Sequence, residues 1–333
     1  MKNIKKVLAV LFSALIVAAM FAGCSSQNTD DADNSKKAKV AIIQYMPHSS
    51  LDNCTEGVEK ALEKAGIAFD TEIGTSGSAD ADCQSYAERM VASNYDLIIA
   101  VATPAAMSAY SAVRSASSDI PVVFCAVSDP LSANLVQDMN APGNNCTGTA
   151  DAFDIAGQVA LIRQLQPEIK SLGVLYTTSE ANSLSQLKTL QAECDAAGIE
   201  LIAQGITDST ELASASISLV PKVEAITNLT DNNVVDNMNV VLEQAEAAGI
   251  PVYGSEIEQV SKGCLASASL DYVALGEQTG NMAVSILNGA KAAETPVVTV
   301  TDSFTVVNSA VAEKLGITVP SELSSAQIIT EID

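Results

Sequence analysis

The phrase E-K-A-G-I-A-F at residues 63–69 returns as D-A-A-G-I-E-L at 195–201, E-A-A-G-I-P-V at 246–252 and E-K-L-G-I-T-V at 313–319. Each has a helix-favouring approach, a glycine, and an isoleucine that opens an apolar or β-branched run. Glycine ends a helix in the left-handed conformation without steric cost, so Gly66, Gly198, Gly249 and Gly316 read as helix-to-strand joints. Upstream of the first, Leu51, Cys54, Val58, Leu62 and Ala65 recur at helical steps and form one apolar face. Before them, V-A-I-I-Q-Y-M (40–46) is continuous and β-branched, the pattern of a strand covered on both faces. Further strands are expected at 68–73, 96–102, 121–127, 172–176, 199–206, 225–229, 252–254 and 264–270. Helical segments separate most of them. That alternation implies right-handed βαβ units, hence an α/β fold with parallel sheets covered by helices. The rhythm fails at A-P-G-N-N-C-T-G-T-A-D (141–151), which reads as a domain boundary.

A length of 333 residues suits about two domains, and 48% hydrophobic residues is ample for two cores. The formal charge of −23 repels phosphate backbones and anionic headgroups, so a small solute is the expected partner and nucleic acid is not. The first residues carry Lys2, Lys5 and Lys6 and then an apolar core from Val7 to Ala22, too short for a spanning helix and suited to an export signal. F-A-G-C (21–24) resembles a bacterial lipobox, with Phe21 where leucine is usual. The expectation is a signal peptide over 1–23, diacylglyceryl modification of Cys24, and a polar, flexible tether over 24–38. The other six cysteines are far apart, lack a C-x-x-C pair, and read as mostly reduced small hydrophobes.

In open α/β sheets ligands bind beyond the carboxyl ends of the strands, where helix N-termini present free N–H groups. Six such joints are polar. They contain Gln44 and His48; Thr103 and Pro104; Ser128 and Asp129; the stretch 175–183, with Tyr176, Ser179, Glu180, Asn182 and Ser183; the stretch 228–233, with Thr230, Asp231 and Asn232; and Glu256. Helix capping explains any one of them; six at one edge point to a polar ligand. Catalysis is poorly supplied. His48 is the only histidine, and no H-E-x-x-H, Walker A, G-x-S-x-G or G-x-G-x-x-G motif follows a strand, so no enzyme activity, metal or cofactor is expected.

With A-T-P-A-A (102–106), A-V-S-D-P (126–130), Y-T-T-S-E-A-N-S (176–183), L-T-D-N-N-V-V (229–235) and L-D-Y-V-A-L-G-E-Q-T-G (270–280), the chain resembles the ABC-transporter substrate-binding lipoproteins of the tryptophan/tyrosine type from about 39 to 316. The resemblance implies the type I periplasmic-binding-protein fold: two doubly wound parallel-sheet lobes joined by a three-strand hinge. It places lobe 1 at 39–150 plus 270–292 and lobe 2 at 151–269 plus 293–325. It implies a monomer on the outer face of the cell membrane, held there only by its lipid. The lobes close on a small polar solute, an amino acid and aromatic in the family's better-known members, and the closed form docks on an ABC permease. The amino acid's carboxylate would take N–H groups and hydroxyls at Thr103, Ala105, Ser179 and Ser183. Its ammonium would take Asp129, Asp231 or Glu256, while Asn182 and Asn232 suit either end. A sensory lipoprotein, a receptor for a sugar or nucleoside, and an enzyme on the same scaffold are the competing readings.

Overall fold

The computed structural model describes residues 38–332. The leader, Cys24 and the tether lie outside the described residues. Helices are numbered α1–α11 and strands β1–β13 in chain order. The first lobe opens with β1 (Lys39–Gln44), α1 (Ser49–Lys64), β2 (Ala68–Ile73), α2 (Ala79–Ala92), β3 (Leu97–Val101), α3 (Thr103–Ser115), β4 (Val122–Cys125) and β5 (Cys146–Asp151). The chain then builds α4 (Ile155–Leu165), β6 (Ser171–Thr177), α5 (Ala181–Ala197), β7 (Glu200–Ile206), α6 (Leu212–Leu219), β8 (Ala225–Thr227), α7 (Asn232–Asp236), α8 (Met238–Ala248), β9 (Val252–Tyr253), α9 (Ile257–Ser261) and β10 (Ala266–Ser269). It ends with α10 (Tyr272–Leu287), β11 (Val298–Val300), β12 (Phe304–Asn308), α11 (Ser309–Leu315) and β13 (Gln327–Ile329).

All four repeated glycines have φ between +67° and +70°. The isoleucine after each returns its N–H to the helix it leaves: Ile67 to Leu62, Ile199 to Cys194, Ile250 to Ala245 and Ile317 to Ala312, at 2.9–3.1 Å. This Schellman closure ends each helix sharply; β2, β7 and β9 follow directly after the first three, whereas Gly316, expected to open a strand, leads into coil and a short 3₁₀ turn at Ser321–Leu323 before β13.

The first sheet is wholly parallel, in the order β11-β5-β4-β3-β1-β2. Its centre is buried on both faces, with Val40, Ile42, Ile43, Ile98, Ile99, Val123 and Phe124 fully covered. α10 returns to this lobe and lies against α1 at backbone distance: a Cβ on Gly276 would sit 2.0 Å from the Cys54 carbonyl oxygen, and one on Gly57 2.1 Å from that of Val273. The second sheet runs β7-β6-β8-β9 in parallel, and β10-β12-β13 continues from β9 through Leu265 N–H to Val252 O (2.7 Å) and Gly254 N–H to Ala266 O (2.9 Å). Two further cores flank these strands, one with Ile162, Leu172, Val174 and Tyr253, the other with Ile226, Val241 and Val306.

Three crossovers join the lobes, after β5, after β10 and between β11 and β12; Ala152 N–H donates to Val300 O across two of them (3.1 Å). Two expectations need correction. The stretch 146–151, read as part of a boundary, is a fully buried strand of the first sheet, with Gly148 fitted against the Phe124 backbone where a Cβ would meet its carbonyl oxygen at 2.0 Å. Strand β11, assigned to the second lobe, pairs with β5 in the first. All six cysteines among the described residues are free and buried.

Candidate functional site

The carboxyl edges of the two sheets face each other across a small, tightly closed cavity lined from both lobes. From the first lobe it is lined by His48, Ser50 and Leu51 at the start of α1, Ala102 and Thr103 at the β3–α3 joint, Ala126 and Ser128 after β4, Asp151 at the end of β5, and Tyr272 at the start of α10. From the second lobe come Asn182 at the start of α5, Thr230, Asn232 and Val235 around α7, and Ser255 after β9. No lysine or arginine is among them.

The first-lobe wall is bent to present itself. Ala102 has φ +82° and ψ +155°, and Ala126 has φ +54°. Alanine in this half of the map costs about 1–3 kcal/mol. The turn at Ala102 ends β3 one residue earlier than its apolar run and delivers Thr103 as the first residue of α3. Thr103 Oγ1 is buried without a hydrogen-bond partner. Asp151, 2% exposed, accepts from Ser128 Oγ at 3.1 Å, and the Tyr272 hydroxyl stands 3.5 Å from its other oxygen. Burial pushes its carboxyl up to about 7, against the pull of the Ser128 hydrogen bond.

The second-lobe wall rests on two buried carboxylates. Glu180 accepts from Asn182 Nδ2 (3.0 Å), from the backbone and side chain of Asn232 (3.1 and 2.6 Å) and from those of Asn233 (3.3 and 3.1 Å). Asp231 caps α7 through Val234 N–H (3.0 Å) and accepts from Thr177 N–H (2.6 Å), Thr177 Oγ1 (2.8 Å) and Ser183 Oγ (2.6 Å). Burial, then the charge of Asp231, pushes Glu180 up to about 8; burial also raises Asp231, against the hydrogen bond from Ser183. The network fixes Asn182, whose Nδ2 also donates to Thr230 O (2.9 Å), and its Oδ1 is left buried and unpartnered.

The lobes are closed on each other. His48 Nε2 meets Asn232 Oδ1 (3.1 Å), Ser128 Oγ meets Thr230 Oγ1 (3.3 Å), and Gln186 Nε2 donates to both of those hydroxyls (3.1 and 2.7 Å). Outside the cavity, Ser185 donates to Asp129 (2.7 Å), Asn53 to Glu258 (2.5 Å) and Ser76 to Asp236 (2.9 Å). Since Asn232 Nδ2 donates to Glu180, its Oδ1 is the acceptor and His48 Nε2 carries the hydrogen; burial lowers the His48 pKa and keeps the ring neutral.

Of the residues singled out from sequence, His48, Thr103, Ser128, Asn182, Thr230 and Asn232 come together in the cavity. Ten do not line it. Gln44 is buried behind it, accepting from Thr55 and donating to Met46 O and Asp52, and so braces the loop that carries His48. Pro104 and Ala105 belong to the first turn of α3 without facing the cavity. Asp129 caps its own loop through Ser132 N–H (3.0 Å) and lines an outer groove beside Lys188. Tyr176 packs on the second core beside Gly205. Ser179 is exposed. Glu180, Ser183 and Asp231 are spent on the network beneath the wall. Glu256 is buried to one side, where burial and then the Glu258 charge push it up to about 8. Eight lining residues were not singled out, and Asp151 is the one carboxylate among them. Its one signal was a carboxylate at the carboxyl end of a strand, and the strand itself was hidden.

A two-lobed α/β body with a polar cavity between facing carboxyl edges is a solute-binding protein of the type I periplasmic-binding fold. Residues 39–328 match the family described as ABC transporter substrate binding protein, and the chain belongs to it. The tyrosine-binding protein of Clostridioides difficile is 35% identical over 315 residues, covering 91% of this chain and 90% of that one. An ABC domain from Streptococcus pneumoniae solved in complex with L-Trp superposes with a TM-score of 0.84 at 34% identity, covering 88% of this chain and 100% of that one. The ligand-free, open structure of a Clostridium difficile substrate-binding protein with adhesive properties gives 0.66 at 35% identity, covering 88% of this chain and 99% of that one.

Proposed function

We propose that this chain captures an amino acid with an aromatic side chain between its lobes and delivers it in the closed form to an ABC importer. The observation that carries the reading is the cavity's composition: hydroxyls, amides, the His48 imidazole and one carboxylate without lysine or arginine, backed by an apolar wall from Leu51, Val235 and the Tyr272 ring. A zwitterion suits this set, its carboxylate held by uncharged donors such as Thr103 at the α3 N-terminus, where the helix dipole favours an anion. The relatives' ligands, tyrosine and tryptophan, agree with it. The protein then acts outside the cytoplasm as a monomer, tethered to the outer face of the membrane through a lipidated Cys24, and catalyses nothing.

A thermal-shift panel of amino acids, sugars and nucleosides tests the ligand class. At 100 times its dissociation constant a ligand adds about 2.7 kcal/mol of stability. Stabilisation by L-tyrosine or L-tryptophan is expected. A shift from a sugar or a nucleoside, and none from any amino acid, would overturn the reading.

A further inference from the structure

We infer that the closed form presents its docking surface for the importer's membrane permease along the outer seam between the lobes, where the turn at 129–135 meets α5. The inference rests on the importer reading and deepens it by naming the face the partner takes. α5 buries one side, with Ser183, Gln186 and Leu190, in the second lobe. Its opposite face, with Ala181, Leu184, Ser185 and Lys188 at helical spacing, lines an open groove together with Asp129 and Ser132 of the first lobe. The two sides of that groove therefore belong to different lobes, and Ser185 Oγ bridges them by donating to Asp129 (2.7 Å). Opening the lobes takes the groove apart, so a partner that fits it distinguishes closed protein from open.

The face has the chemistry of a protein contact. Leu131, between Asp129 and Ser132, is 46% exposed, and Leu184 is 47% exposed. Met107, 41% exposed, lines a second groove on the other flank of the same turn with Ala133 and Asn134. Leu131 is held out by a rigid turn: Asp129 accepts from Ser132 N–H, and backbone bonds run from Ala133 to Asp129, from Asn134 to Leu131 and from Leu135 to Pro130, all at 3.0 Å. An apolar side chain fixed in this way loses little freedom on binding. Charge is depleted around it. The segments 103–115, 126–135 and 181–192 hold Arg114 and Lys188 against Asp129 alone, in a chain with 17 basic and 40 acidic residues. Exposed apolar side chains in a charge-depleted patch are the signature of an interface core. Asp129 already accepts from Ser132 and Ser185, whereas neither Arg114 nor Lys188 is in a salt bridge among the described residues. The occupant that fits is a permease segment with an apolar side chain for the seam between Leu131 and Leu184 and a carboxylate for Lys188. A second copy of this chain would bring a further −23 of charge to the contact and fits it poorly.

Leu131→Asp, Leu184→Asp and Lys188→Glu test the face without touching the cavity. Calorimetry should give affinities for L-tyrosine and L-tryptophan within about twofold of wild type. Uptake of the radiolabelled amino acids by cells whose only copy of the protein is the variant should fall at least about tenfold. Wild-type uptake in all three variants overturns the inference and leaves the importer reading standing. If the wild type binds an amino acid but drives no uptake of it, both fall. A wild-type dimer in light scattering that Leu184→Asp splits would give the face to a second copy and overturn the inference as well. The three positions are exposed and lie on both lobes, so a variant that fails to fold leaves the others to decide.

Discussion

The two walls of the cavity are built on opposite plans. The second-lobe wall is largely closed on itself: Glu180 and Asp231 collect nine hydrogen bonds from α5, α7 and the end of β6, and of its lining side chains only Asn182 keeps a buried atom, Oδ1, without a partner. The first-lobe wall is open. Ala102 and Ala126 hold left-handed backbone, Thr103 Oγ1 has no partner, and Asp151 is poorly compensated. A buried polar group that is satisfied within the protein supports the fold, and one that is not waits for something else. On that ground the second wall is a template and the first is the reactive face. Substitutions on the two should therefore separate stability from affinity.

The largest effect is expected on the second wall. Asp231→Ala removes the acceptor for Thr177 N–H, Ser183 Oγ and Val234 N–H, all buried, at a cost of about 4 kcal/mol. Thermal unfolding of the ligand-free protein should move down by about 10 °C, and a shift under 2 °C would break the contrast between the walls. A smaller change follows pH. Folding raises Asp151 to about 7 and Glu180 and Glu256 to about 8, above their unfolded values near 4. The stability these groups contribute is present in acid and is lost as pH rises through their folded values, so the melting temperature of the ligand-free protein should fall between pH 5 and pH 8.5. Ligand affinity should run the other way, because a bound amine needs Asp151 ionised. The Tyr272 phenol and Cys54 thiol close to it are both raised by burial and stay protonated throughout, so the other titratable groups at the site are Glu180, Glu256, the Asp231 carboxyl raised by burial and the His48 imidazole lowered by it. Parallel trends in stability and affinity would sink that account.

Smaller still is Thr103→Val. It deletes a hydroxyl that bonds nothing within the protein, so stability should hold within about 1 kcal/mol while amino-acid affinity drops about tenfold. Ser179→Ala marks the bottom of the scale, since Ser179 is exposed and outside the cavity: calorimetry should find affinity within about twofold of wild type, where a tenfold loss would return that residue to the site.

The fold was legible where its signals were local. A Schellman turn is written in consecutive residues, so four glycine–isoleucine pairs marked four helix ends, three of which run straight into strands while Gly316 leads into coil. Strand β5 was not legible, because C-T-G-T-A-D lacks the large apolar residues of a central strand; its small side chains are what let it pack on Phe124. The polar joints were visible one at a time, and six of their residues meet in the cavity. What sequence could not show is which carboxylates are already spent. Asp231 is satisfied by Thr177, 54 positions away, and Glu180 by Asn232, 52 away. The hydrogen bonds that separate a brace from a free ligand group are set by tertiary contacts alone.

The central claim is that an amino acid draws the two lobes together through these walls, and small-angle X-ray scattering tests it most directly. Saturating L-tyrosine or L-tryptophan should lower the radius of gyration to that of the closed form described here, and Asp151→Asn should stay expanded at the same ligand concentration. A radius of gyration unchanged by either amino acid in a protein shown calorimetrically to bind it would contradict the account.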